Sequence, residues 1–424
     1  MLQQIINPIF SGFSVQAKYF ILIAFFFSPF PCVAEAVSMP ILLHAARVFD
    51  GHEIRTNVSV LIRNGQVAQI APRESFNANN NDNVKIIDLG DATVLPGFIE
   101  LHAHLSYQNV PENTVLKHGI TTIRDLGGPA HKPYGGTGSL RVLTSGPIIT
   151  APHGYPIVKL GATDIAVAVS TPEEARQTVR NLIEAGAVVI KIALEPGGEV
   201  GAPWSSHHGH THHDQPDKAH EHAHRQPAHK ASHAKPKWPV LSEETVKAIV
   251  DEAHKNNRKV SAHVAEVTGV EIAINAGIDE WAHIPCDPIP EPLLRQAVAQ
   301  NVTIVSTIDT LSQCTGVVPN AATWTALGGE FLYGAEIAHP DIPWGIDAQE
   351  LMYLMQMARM ELVDVLRAAT SKAGQHLGMP LLGTLQPGAP ADIIAIKGNP
   401  VHRLKLLEYP DLVISGGEII VNHF

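Results

Sequence analysis

The residues most able to do chemistry in this chain are His102 and His104, which close the run Leu95-Pro-Gly-Phe-Ile-Glu-Leu-His-Ala-His104. Side chains alternate along a β-strand, so two histidines one residue apart share a face only if the segment is a strand. Because imidazole is a frequent metal ligand, the pair predicts half of a metal site where a strand ends. The alternative is two polar residues at a strand-to-loop boundary, and the rest of the chain decides between them.

Later strand-like segments carry further candidates: Lys191, His263, His283 and Glu336. Lys191 lies in the apolar run 188–194, where burial disfavours its charged form. A neutral amine can take up carbon dioxide to give a carbamate, whose two oxygens can bridge two metal ions. Singly, each residue has an ordinary alternative: a lysine that reaches solvent or pairs with Glu336, and core histidines bonded to backbone carbonyls. Their order on successive strands favours the metal site.

The segments that must position these residues alternate between strand and helix from residue 95 to residue 379. This alternation predicts an α/β fold with a parallel sheet, and the number of units favours a TIM-like (β/α)8 barrel, with its chemistry at the carboxyl ends of the strands. A doubly wound open sheet is the alternative, but no glycine-rich phosphate loop follows a strand. The predicted helices are 172–185, 242–256 and 348–377, and the predicted strands after the first are 120–124, 188–192, 259–263, 280–284, 303–307 and 331–334.

Both ends of the chain read as short strands. The dipeptide Asn64-Gly65 between two apolar strands predicts a β-hairpin. Residues 37–94 and 380–424 together predict a small β-sandwich domain built from both termini. Arg124 and Asp125 are expected to form a local structural pair beneath the second loop of the barrel.

Residues 205–237 form a histidine-rich insertion within the barrel sequence. The segment has almost no large apolar residue, so it cannot bury enough surface to fold alone and is predicted to be a flexible loop outside the catalytic site. It either binds Zn²⁺, Ni²⁺ or Cu²⁺ loosely or is a solvated insertion without function. Its histidines are His207, His208, His210, His212, His213, His220, His222, His224, His229 and His233.

The composition and the amino-terminal sequence limit the possible classes of protein. The apolar fraction of 45% predicts a globular protein with a large core, and the net charge of −11 argues against a nucleic-acid binder. Lys18, the apolar run 19–27 and Ala34-Glu-Ala36 predict a signal peptide over residues 1–36, hence an exported, periplasmic or secreted protein without stable membrane insertion after cleavage. An uncleaved anchor is the alternative. Cleavage leaves Cys286 and Cys314, whose pairing is open.

The chain resembles the amidohydrolase superfamily of metal-dependent hydrolases, within it the group of imidazolonepropionase and of the binuclear prolidase-like and enamidase-like enzymes. The resemblance covers the chain from about residue 41 to its end, apart from the insertion. It rests on Leu95 to His104, Gly119-Ile-Thr-Thr-Ile-Arg-Asp-Leu-Gly127, Val189-Ile-Lys191, Ser261-Ala-His263, Ala276-Gly-Ile-Asp-Glu-Trp-Ala-His283, Leu366-Arg-Ala-Ala-Thr370 and Gly383-Thr-Leu-Gln-Pro-Gly-Ala-Pro-Ala-Asp392.

The resemblance implies a site with two divalent ions, Zn²⁺ first, with Mn²⁺, Co²⁺ or Fe²⁺ able to use the same ligands. His102 and His104 would bind one ion, His263 and His283 the other, and carboxylated Lys191 would bridge both. A hydroxide between the ions would be the nucleophile.

The chain departs from the family pattern at the eighth strand, where the family has an aspartate. Here Glu336 keeps the carboxylate with one more methylene, and it is expected to be a metal ligand and the catalytic general base. Asp341 or His339 could take its place. His153 and Tyr155, after the third strand, are weaker candidates for substrate binding.

The expected function is hydrolysis of an amide or other C–N bond in a small molecule, with a dipeptide or a cyclic amide as substrate. The alternative is a metal-binding or buffering protein on a catalytically impaired amidohydrolase scaffold, which the change from aspartate to glutamate and the histidine-rich insertion would suit. Formation of a homo-oligomer is left open.

Overall fold

The computed structural model describes residues 39–76, 83–161, 163–204 and 237–424. The predicted signal peptide and residues 205–236 of the histidine-rich insertion lie outside the described residues. The strands are β1 (Ile41–Phe49), β2 (Ile54–Arg63), β3 (Gln66–Pro72), β4 (Lys85–Asp88), β5 (Ala92–Pro96), β6 (Phe98–Ala103), β7 (Ile120–Asp125), β8 (Arg141–Thr144), β9 (Ile148–Thr150), β10 (Ala166–Ala168), β11 (Ile190–Ala193), β12 (Val260–His263), β13 (Glu280–Trp281), β14 (Thr303–Val305), β15 (Glu330–Leu332), β16 (Ile393–Lys397), β17 (Leu412–Ser415) and β18 (Glu418–Asn422).

The α-helices follow or separate the central strands. They are α1 (Leu105–Gln108), α2 (Glu112–Lys117), α3 (Ile157–Leu160), α4 (Pro172–Ala185), α5 (Glu243–Lys255), α6 (Val267–Ala276), α7 (Glu291–Ala299), α8 (Val317–Ala326), α9 (Ala348–Gln356), α10 (Leu362–Ala368) and α11 (Ser371–His376). In the part of the chain that the structure describes, none of them combines the length and the apolar character needed to cross a membrane.

Local chemistry sets several of these boundaries. Thr171 caps α4 by accepting a hydrogen bond from the backbone N–H of Glu174, and Pro172 supplies the first helical residue. Ser242 caps α5 in the same way. The predicted helix 348–377 is wrong as a single element, because the chain breaks into α9, α10 and α11, with Arg359 at φ 56° between the first two.

Strands from both ends of the chain form one eight-stranded sheet. Its order is β18-β17-β16-β5-β1-β2-β3, with β4 paired to β1. The predicted hairpin is present, since β2 and β3 pair antiparallel across Asn64 and Gly65, which both have positive φ. The amino-terminal β5 pairs with the carboxy-terminal β16, so the two ends of the chain share one sheet.

The central strands form two parallel sheets. One has the order β6-β7-β8 and the other has the order β10-β9-β11-β12-β13-β14-β15. The predicted α/β class with a parallel sheet is therefore confirmed. The predicted strand 280–284 is shorter in the structure, because β13 ends at Trp281 and His283 lies two residues beyond it. All carboxyl ends in a parallel sheet face one edge, which collects the side chains that follow them.

Candidate active site

Six residues singled out by the sequence meet in one cavity. His102 lies in β6 and His104 directly follows it, Lys191 lies in β11, and His263 ends β12. His283 follows β13, and Glu336 lies four residues after β15. All six line a cavity of about 670 Å³ at the carboxyl ends of the central strands, together with His339 and Asp341.

His102, His104 and Glu336 each offer one possible ligand atom, and these three atoms lie within 4.8 Å of one another. The two Nε2 atoms of the histidines are 3.2 Å apart. Glu336 spans the site: its Oε1 lies 3.8 Å from His104 Nε2 and its Oε2 lies 3.8 Å from His283 Nδ1. The ring of His283 is 4.6 Å from that of His263, so the four histidines form a continuous cluster.

The histidines are held in the neutral form that binds metal. Burial, and then the charge of Lys191, lower the pKa of His104 and of His263 to about 3. Burial also holds the pKa of His102 and of His283 well below the usual value. His102 Nδ1 donates to the carbonyl oxygen of Ala282 at 2.7 Å, which leaves its Nε2 as an acceptor.

Lys191 is a buried amine without a hydrogen-bond partner. Its side chain is 1% exposed, and its Nζ contacts no acceptor among the described residues. Burial lowers the pKa of Lys191 to about 7, so a large share of the amine is neutral near neutral pH. An unpartnered polar group in such a place is rare in folded proteins.

Glu336 reaches this cluster from an unusual backbone position, since its φ is 67°. Burial raises the pKa of its carboxyl group to about 7, against the opposing effect of Lys191. Its Oε2 is buried and has no hydrogen-bond partner in the part of the chain that is described. The backbone just before Glu336 can pack closely against its neighbours because residue 334 is a glycine. A Cβ at Gly334 would lie 2.4 Å from Val305 Cγ1 and 3.1 Å from His102 Cβ.

Glu100, two residues before His102, links β6 to the segment that follows β15 through hydrogen bonds. Its carboxylate accepts from the backbone N–H of His102 at 2.7 Å and from that of Ala335 at 2.9 Å. Burial raises its pKa well above the usual value. The sequence patterns do not single out this role, because the partner Ala335 lies 235 residues away.

Comparison with known proteins identifies the family. The model of the Amidohydrolase family matches residues 93–420, which is most of the chain. The chain belongs to the amidohydrolase family.

The individual relatives of this amidohydrolase share 28% or less of their sequence with it. Ochratoxinase of Aspergillus niger is 28% identical over 266 residues, which cover 58% of this chain and 49% of that protein, so the match spans about half the length of this curated relative. The crystal structure of A. niger ochratoxinase superimposes with a TM-score of 0.68 at 19% identity, covering 90% of this chain and 96% of that one. A Xaa-Pro dipeptidase with bound methionine in its active site gives a TM-score of 0.68 at 20% identity, covering 90% and 99%. The two structural likenesses show a shared fold.

An aromatic wall borders the cavity of this amidohydrolase beside His263. The ring of Tyr155 lies 4.8 Å from the ring of His263, and that of Trp204 lies 4.4 Å from it. Trp238 stacks on Tyr155 at 5.8 Å. Of the two weaker candidates for substrate binding, Tyr155 thus faces the cavity, whereas His153 is exposed and is not among the described residues that line it.

A disulfide between Cys286 and Cys314 lies next to the site, with 4.9 Å between the two Cα atoms. Cys286 comes three residues after His283, and Cys314 directly follows Gln313, which lines the cavity. The bond therefore joins the loop that carries a candidate ligand to the loop that forms one cavity wall. The pairing left open by the sequence is present in the structure.

Proposed function

We propose that this amidohydrolase is a metal-dependent enzyme that hydrolyses an amide or other C–N bond of a small molecule. The observation that carries the proposal is the pair of buried, unpartnered atoms, Lys191 Nζ and Glu336 Oε2, in a cavity lined by four neutral histidines. Leaving such atoms unpaired costs about 1–3 kcal/mol each, so the cluster is built for a group that completes it. Similarity to ochratoxinase and to a Xaa-Pro dipeptidase supports a dipeptide or related amide as substrate.

The donor set fits two divalent ions. His102 and His104 would hold one ion, His263 and His283 the other, and Lys191, as a carbamate, would bridge them, with Glu336 as a further oxygen ligand. Mixed imidazole and carboxylate ligands suit Zn²⁺ best, and Mn²⁺, Co²⁺ or Fe²⁺ could use the same set. When bound, such ions lower the pKa of water and polarise the carbonyl group of the substrate.

The residues of the chain would then handle the proton and the substrate. Glu336, whose Oε2 has no hydrogen-bond partner among the described residues, would take a proton from the attacking water and return it to the leaving nitrogen. Tyr155 and Trp204 offer apolar surface beside His263, which would contact a side chain of the substrate and exclude water from that wall.

We also propose that the two parallel sheets form one (β/α)8 barrel. Two contacts between the sheets support this architecture. The backbone N–H of His104, after β6, donates to the carbonyl of Ile337, after β15, at 2.9 Å, and the N–H of Val188, before β11, donates to the carbonyl of Thr144 in β8 at 2.9 Å. Closure of the barrel would place all six candidate residues around its carboxyl-terminal opening.

We also propose that the protein is exported. The signal-peptide pattern over residues 1–36 and the disulfide between Cys286 and Cys314, a bond typical of oxidising compartments, both support export. Sequencing the amino terminus of the mature protein tests it. A terminus beginning near residue 37 is expected, and a protein that retains residues 1–36 would contradict cleavage.

The test of the function combines metal analysis with turnover. Purified protein is assayed for bound metals and for hydrolysis of Xaa-Pro dipeptides, cyclic amides and ochratoxin, then treated with chelator and reloaded with Zn²⁺. We expect two tightly held ions per chain and a turnover that is lost with the metal and restored with it. Fully loaded protein without turnover of any of these substrates would favour the metal-buffering alternative.

A further inference from the structure

A buried acid, Glu195, lies directly behind His263. It follows the end of β11 by two residues and is 1% exposed. Its Oε2 lies 3.2 Å from His263 Nε2, and its Oε1 accepts from the backbone N–H of Gly197 at 2.6 Å. The carboxylate is therefore held at both oxygens, and one of them faces the imidazole.

Two more buried side chains fix this acid in place. The carboxyl groups of Glu195 and Glu199 are hydrogen-bonded to each other, and Glu199 is 4% exposed. Glu199 Oε2 accepts from Trp204 Nε1 at 3.4 Å, and the ring of Trp204 packs against His263. Glu195, Glu199 and Trp204 thus form, together with His263, a closed circuit of contacts.

The nitrogen that each histidine uses for its partner decides which nitrogen is left for a metal. His102 and His283 form hydrogen bonds through Nδ1, to the carbonyl of Ala282 and to the hydroxyl of Thr307. His263 is reversed, because its partner Glu195 contacts Nε2. Burial raises the pKa of Glu195 and its hydrogen bond with Glu199 lowers it, so the proton shared by the two acids is assigned to Glu199. The Glu195 carboxylate then accepts from Nε2–H of His263, which leaves the lone pair on Nδ1.

We infer that Glu195 is a positioning residue that holds His263 in the Nε2–H tautomer and so presents Nδ1 to a divalent ion. The inference rests on the proposed function in that the ion is the one assigned above to His263 and His283. A carboxylate behind a ligating imidazole fixes the orientation of the ring and raises the basicity of the metal-binding nitrogen. Loss of such a partner lowers metal affinity about 10–100-fold in other sites.

The first experiment needs no metal. Long-range ¹⁵N–¹H correlation spectra of the metal-free, full-length protein distinguish the two tautomers of each histidine, and the signals of His263 are assigned by their loss in His263→Gln. We expect the Nε2–H tautomer in the wild type and a mixture of tautomers in Glu195→Ala. An Nδ1–H tautomer of His263 in the wild type, or an unchanged tautomer in Glu195→Ala, would overturn the positioning role.

The second experiment measures the affinity for Zn²⁺ by competition with a chelator. We expect Glu195→Ala to bind one of the two ions about 10–100-fold more weakly. Glu195→Gln keeps an acceptor for Nε2–H but loses the one used by Gly197, so it should recover part of this loss. Glu252→Ala is the matched control, since Glu252 is a buried acid on α5 that pairs with Arg176 and Arg180, and it should leave both affinities unchanged.

The outcomes separate the two proposals. If the wild type binds no Zn²⁺, the proposed function fails, whereas the tautomer still reports whether Glu195 controls His263. If Glu195→Gln and Glu195→Ala lose equal affinity while Glu195→Gln keeps the Nε2–H tautomer, the carboxylate itself would be a ligand, and the positioning role would be overturned. Should Glu195→Ala fail to fold, the wild-type tautomer and Glu195→Gln decide the question.

Discussion

Arg124 and Glu280 form a fully buried bidentate ion pair that joins the two parallel sheets. Arg124 Nη2 lies 2.7 Å from Glu280 Oε1 and Nη1 lies 3.0 Å from Oε2, with the side chains 1% and 0% exposed. Arg124 belongs to β7 and Glu280 to β13, and His376 of α11 adds a hydrogen bond to the same carboxylate at 2.6 Å. The expected local pair of Arg124 with Asp125 is wrong, because Asp125 accepts instead from Ser106 and Gly127.

The first prediction concerns the stability of this pair. Glu280→Gln leaves the guanidinium of Arg124 buried without its counter-charge, and breaking a buried pair in this way costs about 3–5 kcal/mol. Denaturant unfolding at neutral pH measures the loss. As a control, Glu53→Gln removes an exposed acid paired with Arg55 and should change the free energy of unfolding by about 1 kcal/mol or less.

The second prediction is the pH dependence of the same pair. Burial alone would raise the pKa of Glu280, but Arg124 and His376 more than offset it and hold the pKa below its usual 4.5. A pKa lower in the folded than in the unfolded chain means that the ionised carboxylate stabilises the fold above about pH 4.5 and that this contribution is lost as the pH falls further. The difference in stability between wild type and Glu280→Gln should therefore be constant from pH 7 to 5 and shrink below 4.5. A difference that grows on acidification would contradict this assignment.

The third prediction tests Glu336 as the proton acceptor. Glu336→Gln keeps the shape of the side chain but removes its basicity, so kcat should fall by about 10²–10⁴. Glu336→Asp keeps the base and withdraws it by one methylene, for which we expect a smaller loss of about 10². Bound zinc is measured alongside kcat. Asp341→Asn, which changes an exposed acid of the same cavity, is the comparison, and a larger loss there than in Glu336→Gln would transfer the role to Asp341.

The fourth prediction tests the carbamate at Lys191. Lys191→Met removes a buried amine that lacks a partner, so the metal-free variant should gain about 1–3 kcal/mol of stability while it loses tightly bound zinc. Added bicarbonate should speed the reloading of metal-free wild type and leave the variant unchanged. Lys132→Met, at an exposed lysine, should behave as the wild type in both assays. Zinc content equal to that of the wild type in Lys191→Met would exclude a bridging role.

The fifth prediction separates the histidine-rich insertion from the active site. Replacing residues 205–236 by a short Gly-Ser linker between Trp204 and Lys237 removes the ten histidines but none of the six candidate residues in the cavity. We expect the two tight ions and the turnover to remain, with any weakly held Ni²⁺ or Cu²⁺ lost. If most of the tight metal disappeared with the segment, the buffering alternative would gain support over the enzyme.

Features that depend on neighbours in the chain could be predicted from the sequence. The period-two spacing of His102 and His104 places both at the end of a strand, because strand side chains alternate. The Asn64-Gly65 hairpin and the helix 172–185 also follow from short-range patterns in the chain. The six residues that meet in the cavity were found in this way, since every strand of a parallel sheet delivers its carboxyl end to the same edge.

Only the tertiary structure decided which side chains contact and support those residues. The partners Glu195 and His263 are 68 residues apart, and Arg124 and Glu280 are 156 residues apart, so no local pattern marks either pair. The same holds for the bond between Cys286 and Cys314. The sequence alone determined which side chains can bind a metal, through their type and the period of the strands. Packing between distant strands determined which nitrogen of each histidine is free and which charges are neutralised, because those depend on burial and on contacts that exist only in the folded chain.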